Sequence, residues 1–351
     1  MTGQEKTIEE VLGISIADYG KGERYAFQQL HEIMEKDFGD IAWVVEGLFP
    51  MESISIISGN PGNFKTWITM DLARSIAEGT SFLGKFQTMQ GGVLIVDEEN
   101  AERVIKDRFI KLDVANNEKL PIYYLNRIGF KIDDKKDLEE VISFVKENDI
   151  KLVIFDSLVR IHSGDENTSQ TMSKVMRSFQ EVVKAGASVI STHHHRKGPS
   201  GPNPSQSLRG SSDILAGIDC HIIITHSKEE NCLHFSQPKL RTDEPINDFL
   251  VSIKKTEKGE LVFTYEGDDK RAENKIQEVK NEIIGVMQMS DTSMSVKDFK
   301  EELGDSFSEN NIRGALKALT KEEMIKFETK GKGERFYSLI VIKAESEEDC
   351  G

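Results

Sequence analysis

The sequence lacks a long apolar run, and cysteine is scarce in it. No stretch approaches the roughly 20 apolar residues of a membrane-spanning helix, and the first residues, MTGQEKTIEEVLG, form no basic-then-apolar export signal. We therefore expect a cytoplasmic protein with no membrane partner. The three cysteines, Cys220, Cys232 and Cys350, form no CxxC pair. Their odd number and spacing argue against a disulfide framework or a zinc knuckle and predict reduced thiols without a role.

A surplus of positive charge is also missing. Lys and Arg number 45 against 60 Asp and Glu, which gives a net charge of −15. Such a chain is not expected to coat nucleic acid by bulk charge, so any nucleic-acid contact must be local. Apolar residues make up 38% before the 27 glycines are added, which is typical of a folding chain. At roughly 150 residues per domain, a chain of 351 residues predicts one large domain and a smaller module.

Between residues 53 and 266, short β-branched runs alternate with helical patterns. Six strands are predicted before the pattern changes, at 53–58, 93–97, 122–125, 152–156, 188–192 and 220–225. Crossover helices are predicted at 66–78, 138–147 and 169–184. Strand-like runs at 233–237, 249–254 and 260–265 follow with only turns between them. The pattern predicts an α/β domain at 46–266, with a mostly parallel sheet and an antiparallel extension at one edge, after an N-terminal arm at 1–45.

The chain beyond residue 271 predicts a winged-helix domain at 271–343, followed by an acidic tail at 344–351. Its elements are helices at 271–287, 295–303 and 308–321, and strands at 325–329 and 335–340. Ser308 is the expected N-cap of the last helix. Residues 313–335 hold seven cations and four acids, in the two elements that a winged helix presents to DNA. We expect contact with duplex DNA here, while binding to a protein stays open.

Directly after the first predicted strand comes a glycine-rich loop, and a helical pattern follows it. The loop is Gly59-Asn60-Pro61-Gly62-Asn63-Phe64-Lys65-Thr66. Backbone N–H groups at a helix N-terminus form an anion site, so this context predicts a P-loop that binds ATP. Lys65 is predicted to bridge the β and γ phosphates, and Thr66 to bind Mg²⁺. Phe64 stands where glycine normally precedes the lysine, so an ordinary strand-to-helix turn is the alternative.

Two later strands end in carboxylates. Leu152-Val153-Ile154-Phe155-Asp156 is an apolar strand with the Walker B arrangement, and Asp156 is predicted to hold Mg²⁺ beside Thr66. The run VLIVDEEN ends in acids as well, and we favour Glu99 over Glu98 as the group that positions the attacking water. This assignment expects the strand of Glu99 to lie beside the P-loop strand. A solvated acidic strand end that caps the next helix is the alternative.

The segment ASVISTHHHRK runs from a strand into three histidines. Consecutive strand residues point to opposite faces, so the three imidazoles are not expected to share a metal. His193 is predicted instead to sense the γ phosphate. The basic loop at 195–209 holds three cations and no acid, and we expect it to contact single-stranded DNA. For both segments, a surface loop without a role is the alternative.

Two further cations, Lys239 and Arg241, lie two residues apart at the end of a predicted edge strand. Residues at i and i+2 share one face of a strand. Cations placed in this way are able to reach an ATP held by a neighbouring subunit and to stabilise transferred charge. On spacing alone, a solvated strand end fits equally well.

Together, six segments resemble the RepA-type plasmid replicative helicases and their AAA_25 relatives, within the RecA-like ATPases that include DnaB and RadA. The segments are GNPGNFKT, VLIVDEEN, LVIFDSLVRIHSGDENTS, SVISTHHHRK, SLRGSSDI and QPKLR. The resemblance spans about residues 43–253 and implies a RecA-like core that assembles into a ring, usually a hexamer, with ATP between subunits and DNA in the central channel. It implies the roles already given for Lys65, Thr66, Glu99, Asp156 and His193, and a trans-acting pair for Lys239 and Arg241.

Three functions are compatible with these features. The first is a ring-forming, DNA-stimulated ATPase that unwinds duplex DNA as a replicative helicase. The second is a non-unwinding ATP switch on DNA, such as a helicase loader, a recombination mediator or a replication regulator, which Phe64 favours because a bulky loop residue would slow turnover. The third is a winged-helix repressor with a degenerate ATPase core, and the presence of Lys65, Glu99 and Asp156 argues against it.

Overall fold

The computed structural model describes residues 28–37, 39–114, 119–195, 212–290, 292–330 and 333–340. The described residues before Trp43 belong to a small unit with one short helix, α1 (Leu30–Met34). The larger unit begins at Trp43 with strand β1 (Trp43–Val45), which pairs antiparallel with β2 (Phe49–Pro50). The predicted arm at 1–45 therefore overlaps the first strand of the larger unit.

A nine-stranded sheet is the centre of the larger unit. Six strands run parallel, namely β3 (Ile54–Gly59), β4 (Gly92–Asp97), β5 (Ile122–Asn126), β6 (Ile150–Asp156), β7 (Ser188–His194) and β8 (Cys220–Ser227). Three antiparallel strands continue the sheet, namely β9 (Cys232–Leu240), β10 (Phe249–Lys255) and β11 (Leu261–Asp268). The order across the sheet is β11-β10-β9-β8-β3-β7-β6-β4-β5. The predicted mostly parallel sheet with an antiparallel extension is confirmed.

Helices cover both faces of the parallel strands. On one face lie α2 (Lys65–Glu78) and α3 (Glu102–Lys111), and on the other lie α4 (Lys135–Glu147) and α5 (Ser169–Lys184). Side chains alternate along each strand, so Ile95 joins one core and Leu94 the other. Burial on both faces explains why these strands read as continuous apolar runs. None of the helices in the described ranges is long and apolar enough to cross a bilayer.

The C-terminal part of the chain has a core of its own, which includes Ile283, Phe299 and Leu316. Its helices are α7 (Arg271–Met289), α8 (Val296–Leu303) and α9 (Glu309–Lys321), and α6 (Ser212–Gly217) precedes β8. A three-stranded antiparallel sheet completes it, in the order β12 (Met294–Ser295), β14 (Glu334–Leu339), β13 (Ile325–Lys330). Ser308 accepts a hydrogen bond from the backbone N–H of Asn311, as predicted for an N-cap. The predicted tail at 344–351 lies outside the described residues.

Candidate active site

The predicted P-loop lies at the carboxyl edge of the parallel strands, between the end of β3 and the start of α2. A Cβ atom at Gly59 would lie 2.4 Å from the carbonyl oxygen of Ile224 in β8, so no side chain fits there. Gly62 has a φ of +84°, a conformation that glycine adopts without steric cost. Asn63 fixes the loop by donating from Nδ2 to the same Ile224 oxygen over 2.8 Å. The loop leads from β3 directly into the N-terminus of α2, the part of a helix where free backbone N–H groups bind anions.

Phe64 occupies the usual glycine position and adopts a conformation that favours glycine. Its φ and ψ are +59° and 12°, in the left-handed region, which costs a residue with a Cβ atom about 1–2 kcal/mol. The ring packs edge-on against His226 at 4.9 Å and against Phe263 at 6.2 Å between centroids. Edge-to-face pairs contribute about 0.5–1.5 kcal/mol beyond the burial of their area. The loop therefore keeps its left-handed residue because the ring is held by β8 and β11.

This balance predicts an unusual order of stability for two variants of Phe64. Both Phe64→Gly and Phe64→Ala lose the half-buried ring, so both should unfold about 1–3 kcal/mol more easily than the natural chain. The glycine variant should nevertheless be about 1 kcal/mol more stable than the alanine variant, because only alanine keeps the left-handed strain. Urea unfolding of the three chains measures this order. An alanine variant more stable than the glycine variant would contradict it.

Lys65 is buried, and its ammonium folds back onto the loop. Its Nζ atom donates to the carbonyl oxygens of Gly59 at 2.9 Å and Asn60 at 3.1 Å. Burial lowers the pKa of Lys65, while the charges of Asp156 and Glu99 raise it. The site therefore holds a cation between the phosphate loop and two carboxylates.

Asp156 and Thr66 meet at the end of β6, although 90 positions separate them in the sequence. Thr66 Oγ1 donates to Asp156 Oδ2 over 2.8 Å, and Thr192 Oγ1 donates to Oδ1 over 2.5 Å. Burial raises the pKa of Asp156, against the two hydroxyl hydrogen bonds, which lower it. A carboxylate and a hydroxyl are hard oxygen donors of the kind that Mg²⁺ prefers, so this pair fits the predicted metal site.

The two glutamates that follow β4 have different surroundings. The Glu98 carboxylate accepts hydrogen bonds of 3.0–3.1 Å from the backbone N–H groups of Ile128, Gly129 and Phe130. Glu99 lines the cleft beside the P-loop and is paired with Arg160 Nε at 3.5 Å. The structure thus brings Glu99, rather than Glu98, to Lys65 and Asp156.

The position of β4 in the sheet corrects one expectation. β4 does not lie beside the P-loop strand β3, because β7 and β6 are inserted between them. β4 pairs instead with β6, the strand that carries Asp156. Glu99 therefore reaches the cleft next to Asp156, from the far side of the Walker B strand.

The three histidines at the end of β7 have different surroundings. His194 lines the cleft, with Nδ1 3.4 Å from Lys65 Nζ, and it shares a strand face with Thr192. His193 is 1% exposed and lies on the opposite face, outside the set of residues that line the cleft. The structure therefore brings His194, rather than His193, to Lys65 and the cleft. Because side chains alternate along a strand, a shift of one residue moves a histidine from one face of the sheet to the other.

His195 connects the start of the predicted basic loop to the P-loop strand. Its Nε2 lies 2.9 Å from the Oγ of Ser58, which also lies 2.7 Å from Nε2 of His221. Burial lowers the pKa of His195 to about 4 and that of His221 to about 3, so both imidazoles are neutral at pH 7. Ser58 directly precedes Gly59. The rest of the predicted loop, 196–209, lies outside the described residues.

Lys239 and Arg241 lie beside the amino end of β8, whereas the P-loop follows the carboxyl end of the parallel neighbour β3. Lys239 Nζ donates to the carbonyl of Leu215 over 2.6 Å, and Arg241 Nη1 pairs with Asp219 over 2.7 Å.

The expectation that these cations end an edge strand is wrong, because β9 lies between β8 and β10 in the sheet. β10 pairs with β9 only over residues 232–235, however, so the end of β9 is bonded to β8 alone. This explains how Pro238 is tolerated there.

The cleft encloses about 460 Å³ and includes two residues that the sequence analysis missed, Trp67 and Arg108. The Arg108 guanidinium lies 5.5 Å from the centre of the Trp67 ring. Its Nη1 atom is buried, and among the described residues it has no hydrogen-bond partner. A buried donor left unpaired costs about 1–3 kcal/mol, and a phosphate or nucleotide oxygen would satisfy it. The only sequence signal for Arg108 is that α3 follows the acidic strand end.

Residues 27–200 match the family model AAA_25, described as an AAA domain, which is a P-loop ATPase family. The matched range includes the P-loop, Glu99, Asp156 and the three histidines. It ends before Lys239 and Arg241 and before the C-terminal helices. No curated protein matches the chain. The match supports ATPase activity, with nucleotide binding and a divalent metal.

Proposed function

We propose that this protein is an ATP-hydrolysing, DNA-stimulated ring ATPase that acts as a RepA-type replicative DNA helicase or translocase. The observation that carries the ATPase part is the meeting of Lys65, Thr66, Asp156 and Glu99 at one cleft. The match to a P-loop ATPase family agrees with it. The DNA and ring parts rest on the resemblance and on the positions of the remaining cations.

In this proposal the phosphates of ATP occupy the cradle formed by the P-loop. Lys65 exchanges the carbonyls of Gly59 and Asn60 for phosphate oxygens, to which an ammonium binds more strongly. Thr66 and Asp156 would hold Mg²⁺, which neutralises charge that develops on the phosphates. Arg108 supplies a further donor from α3, through the Nη1 atom that lies buried beside the cleft.

Glu99 orients the attacking water and accepts its proton, and Arg160 keeps the carboxylate at the mouth of the cleft. His194 lies beside Lys65 and is placed to contact the γ phosphate. The next residue, His195, is hydrogen-bonded to Ser58 at the root of the P-loop. This short chain of contacts links the phosphate site to the start of the loop at 195–209, to which we assign single-stranded DNA.

Ring assembly gives Lys239 and Arg241 their function in this proposal. Both lie beside the amino end of β8, away from the nucleotide of their own subunit, and the side chain of Arg241 is 55% exposed. Such a cation is available to an ATP bound by the next subunit, where it would stabilise transferred charge. The Asp219 carboxylate holds Arg241 in place until a phosphate replaces it.

For the C-terminal part we propose a winged-helix domain that contacts duplex DNA. A cleft of about 710 Å³ lies between α8, α9 and the β13–β14 hairpin. Among its lining residues, the cations outnumber the acids Glu309 and Glu334, and they are Lys297, Arg313, Lys317, Lys321 and Arg335. A basic concavity of this kind suits a phosphate backbone. An acidic protein surface is the alternative partner.

The direct test combines three measurements on the pure full chain. ATPase rates with and without single-stranded DNA test stimulation, light scattering with and without Mg-ATP tests ring assembly, and a forked duplex with a fluorophore and quencher tests unwinding. We expect DNA to raise the ATPase rate and the fork to open in an ATP-dependent manner. Absence of both effects would remove the helicase proposal, even if basal ATPase activity were present.

Phe64 favours a second candidate function, a non-unwinding ATP switch such as a helicase loader, a recombination mediator or a replication regulator. The left-handed phenylalanine is fixed by His226 and Phe263, which stiffens the loop that must accommodate the phosphates. A switch predicts slow ATPase turnover together with a nucleotide-dependent oligomer size, and it predicts that Phe64→Gly raises the turnover. Fast unwinding by the natural chain would exclude this candidate.

A further inference from the structure

A second cluster of ligating side chains lies outside the cleft, where the β8–β9 turn meets β9. Cys232 Sγ lies 3.3 Å from His234 Nε2, and Glu230 Oε2 lies 3.3 Å from the same Nε2 and 3.5 Å from the sulfur. Cys232 and His234 share one face of β9 because they are two residues apart. The donor atoms of all three residues lie within 4.8 Å of one another.

These separations match the edges of a tetrahedral zinc site. Bond lengths of about 2.3 Å to sulfur and about 2.0–2.1 Å to nitrogen and oxygen place neighbouring donors about 3.3–3.6 Å apart at tetrahedral angles. The three side chains therefore have the spacing that a bound ion would impose. We propose that Glu230, Cys232 and His234 form a Zn²⁺ site, with water at the fourth position.

The surroundings of His234 fit the same assignment. Its Nδ1 lies 3.0 Å from Asp269 Oδ2. In the tautomer that donates from Nδ1 to this carboxylate, Nε2 is free for a metal. Asp269 is itself held in place by Arg271, whose Nε and Nη2 atoms each donate to its carboxylate over 2.9 Å. His234 and Asp269 are largely buried, while the side chain of Glu230 is 51% exposed. The site is thus rigid on its inner side and open on its outer side.

Arg271 is the cation that now faces this cluster. Its Nη1 pairs with Glu230 Oε2 at 3.1 Å, and its Nη2 pairs with Asp269 Oδ2 at 2.9 Å and contacts His234 Nδ1. A bound ion would replace Arg271 as the partner of the Glu230 carboxylate. The ion pair between Arg271 and Asp269 would remain. Arg271 therefore competes with the ion, and removing its charge should tighten metal binding.

The ligand set selects the metal class. A thiolate and an imidazole favour zinc and its borderline-soft neighbours over Mg²⁺ and Ca²⁺, which require oxygen donors. Asp269 and Arg271 lie at the start of α7, while the three ligands belong to the sheet and its turn. An ion at this position would therefore connect the central sheet to the first helix of the C-terminal part.

Cobalt substitution tests the site through the sulfur. The full chain with Cys350→Ser, which removes a further thiol, is titrated with Co²⁺ in the absence of nucleotide. One equivalent of Co²⁺ should produce the thiolate-to-cobalt charge-transfer band and the visible bands of a tetrahedral site, and Zn²⁺ should displace it. Absence of the thiolate band in this chain would overturn the proposal, including the case in which Co²⁺ binds elsewhere.

Variants assign the ligands individually. Cys232→Ser should abolish the thiolate band and His234→Gln should weaken Co²⁺ binding strongly, while Asp269→Asn should weaken it about 10- to 100-fold through the orientation of His234. Glu230→Gln should weaken binding, and Glu229→Gln, on the same exposed turn, serves as its matched control.

Arg271→Gln should tighten Co²⁺ binding, because it removes the cation that competes for Glu230. Equal affinity for Co²⁺ in the natural chain, Cys232→Ser and His234→Gln would contradict the assignment.

Discussion

Replacing Glu99 with glutamine is expected to lower the ATPase kcat by about 10²- to 10⁴-fold and to leave Mg-ATP binding nearly unchanged. The amide keeps the size and polarity of the side chain but cannot accept the proton of the attacking water. Lys65, Thr66 and Asp156, which we assign to the phosphates and the metal, stay in place. Steady-state ATPase rates and calorimetric titration with a non-hydrolysable ATP analogue measure the two effects separately.

Glu98 offers a matched control for this variant, because it is adjacent in sequence and different in surroundings. Its carboxylate holds the backbone N–H groups of Ile128, Gly129 and Phe130. Glu98→Gln should therefore lower the midpoint of unfolding. Its effect on the ATPase kcat should be smaller than that of Glu99→Gln. A Glu98 variant with the larger catalytic loss, or a Glu99 variant with full activity, would show that the base assignment is wrong.

The elements of the central sheet could be predicted because their cores impose clear patterns. Strands buried on both faces read as short apolar runs, and α5 was predicted at the bounds 169–184 that the structure shows. Helix α3 was missed because Ile105 is its one buried residue, so its apolar period is weak. The two-residue strand β12 is too short to carry any period.

The order of the strands could not be read from the sequence. Periodicity shows which segments become strands, but the neighbours of each strand depend on how the crossover helices pack. β4 was therefore expected beside β3, whereas two strands separate them. Glu99 still reaches the cleft, because all six parallel strands end at the same edge and β4 is next to β6.

Candidate site residues that belong to short sequence motifs could be predicted from the sequence. Residues that tertiary packing brings to the cleft could not. The P-loop, Asp156 and Glu99 belong to short segments with a chemical reason for their order. Arg108 reaches the cleft because α3 crosses it, and the position of His194 relative to His193 depends on the phase of β7. The proximity of Cys232, His234 and Glu230 depends on a turn and a strand that together bring unrelated residue types to one point.

Lys65→Ala should impair both nucleotide binding and hydrolysis, the two steps that the Glu99 variant separates. The ammonium is buried beside Asp156 and Glu99, and its removal leaves two carboxylates without the cation that offsets them where the triphosphate binds. We expect weaker Mg-ATP binding and an ATPase kcat lowered by at least about 10²-fold, as for other groups that stabilise transition-state charge. The same ATPase and titration measurements apply.

The control for Lys65 is Lys146→Ala, because Lys146 is an exposed lysine of α4 outside the residues that line the cleft. It should retain the activity and the nucleotide affinity of the natural chain. If Lys65→Ala retained ATPase activity, DNA stimulation and assembly, the P-loop would not be a working phosphate site. If the natural chain itself lacked ATPase activity and Lys65→Ala kept its DNA binding, a DNA-binding repressor with a degenerate ATPase core would replace the proposed helicase. If Lys65→Ala loses nucleotide binding while Glu99→Gln keeps it, the two residues act at successive steps, and one cleft performs both.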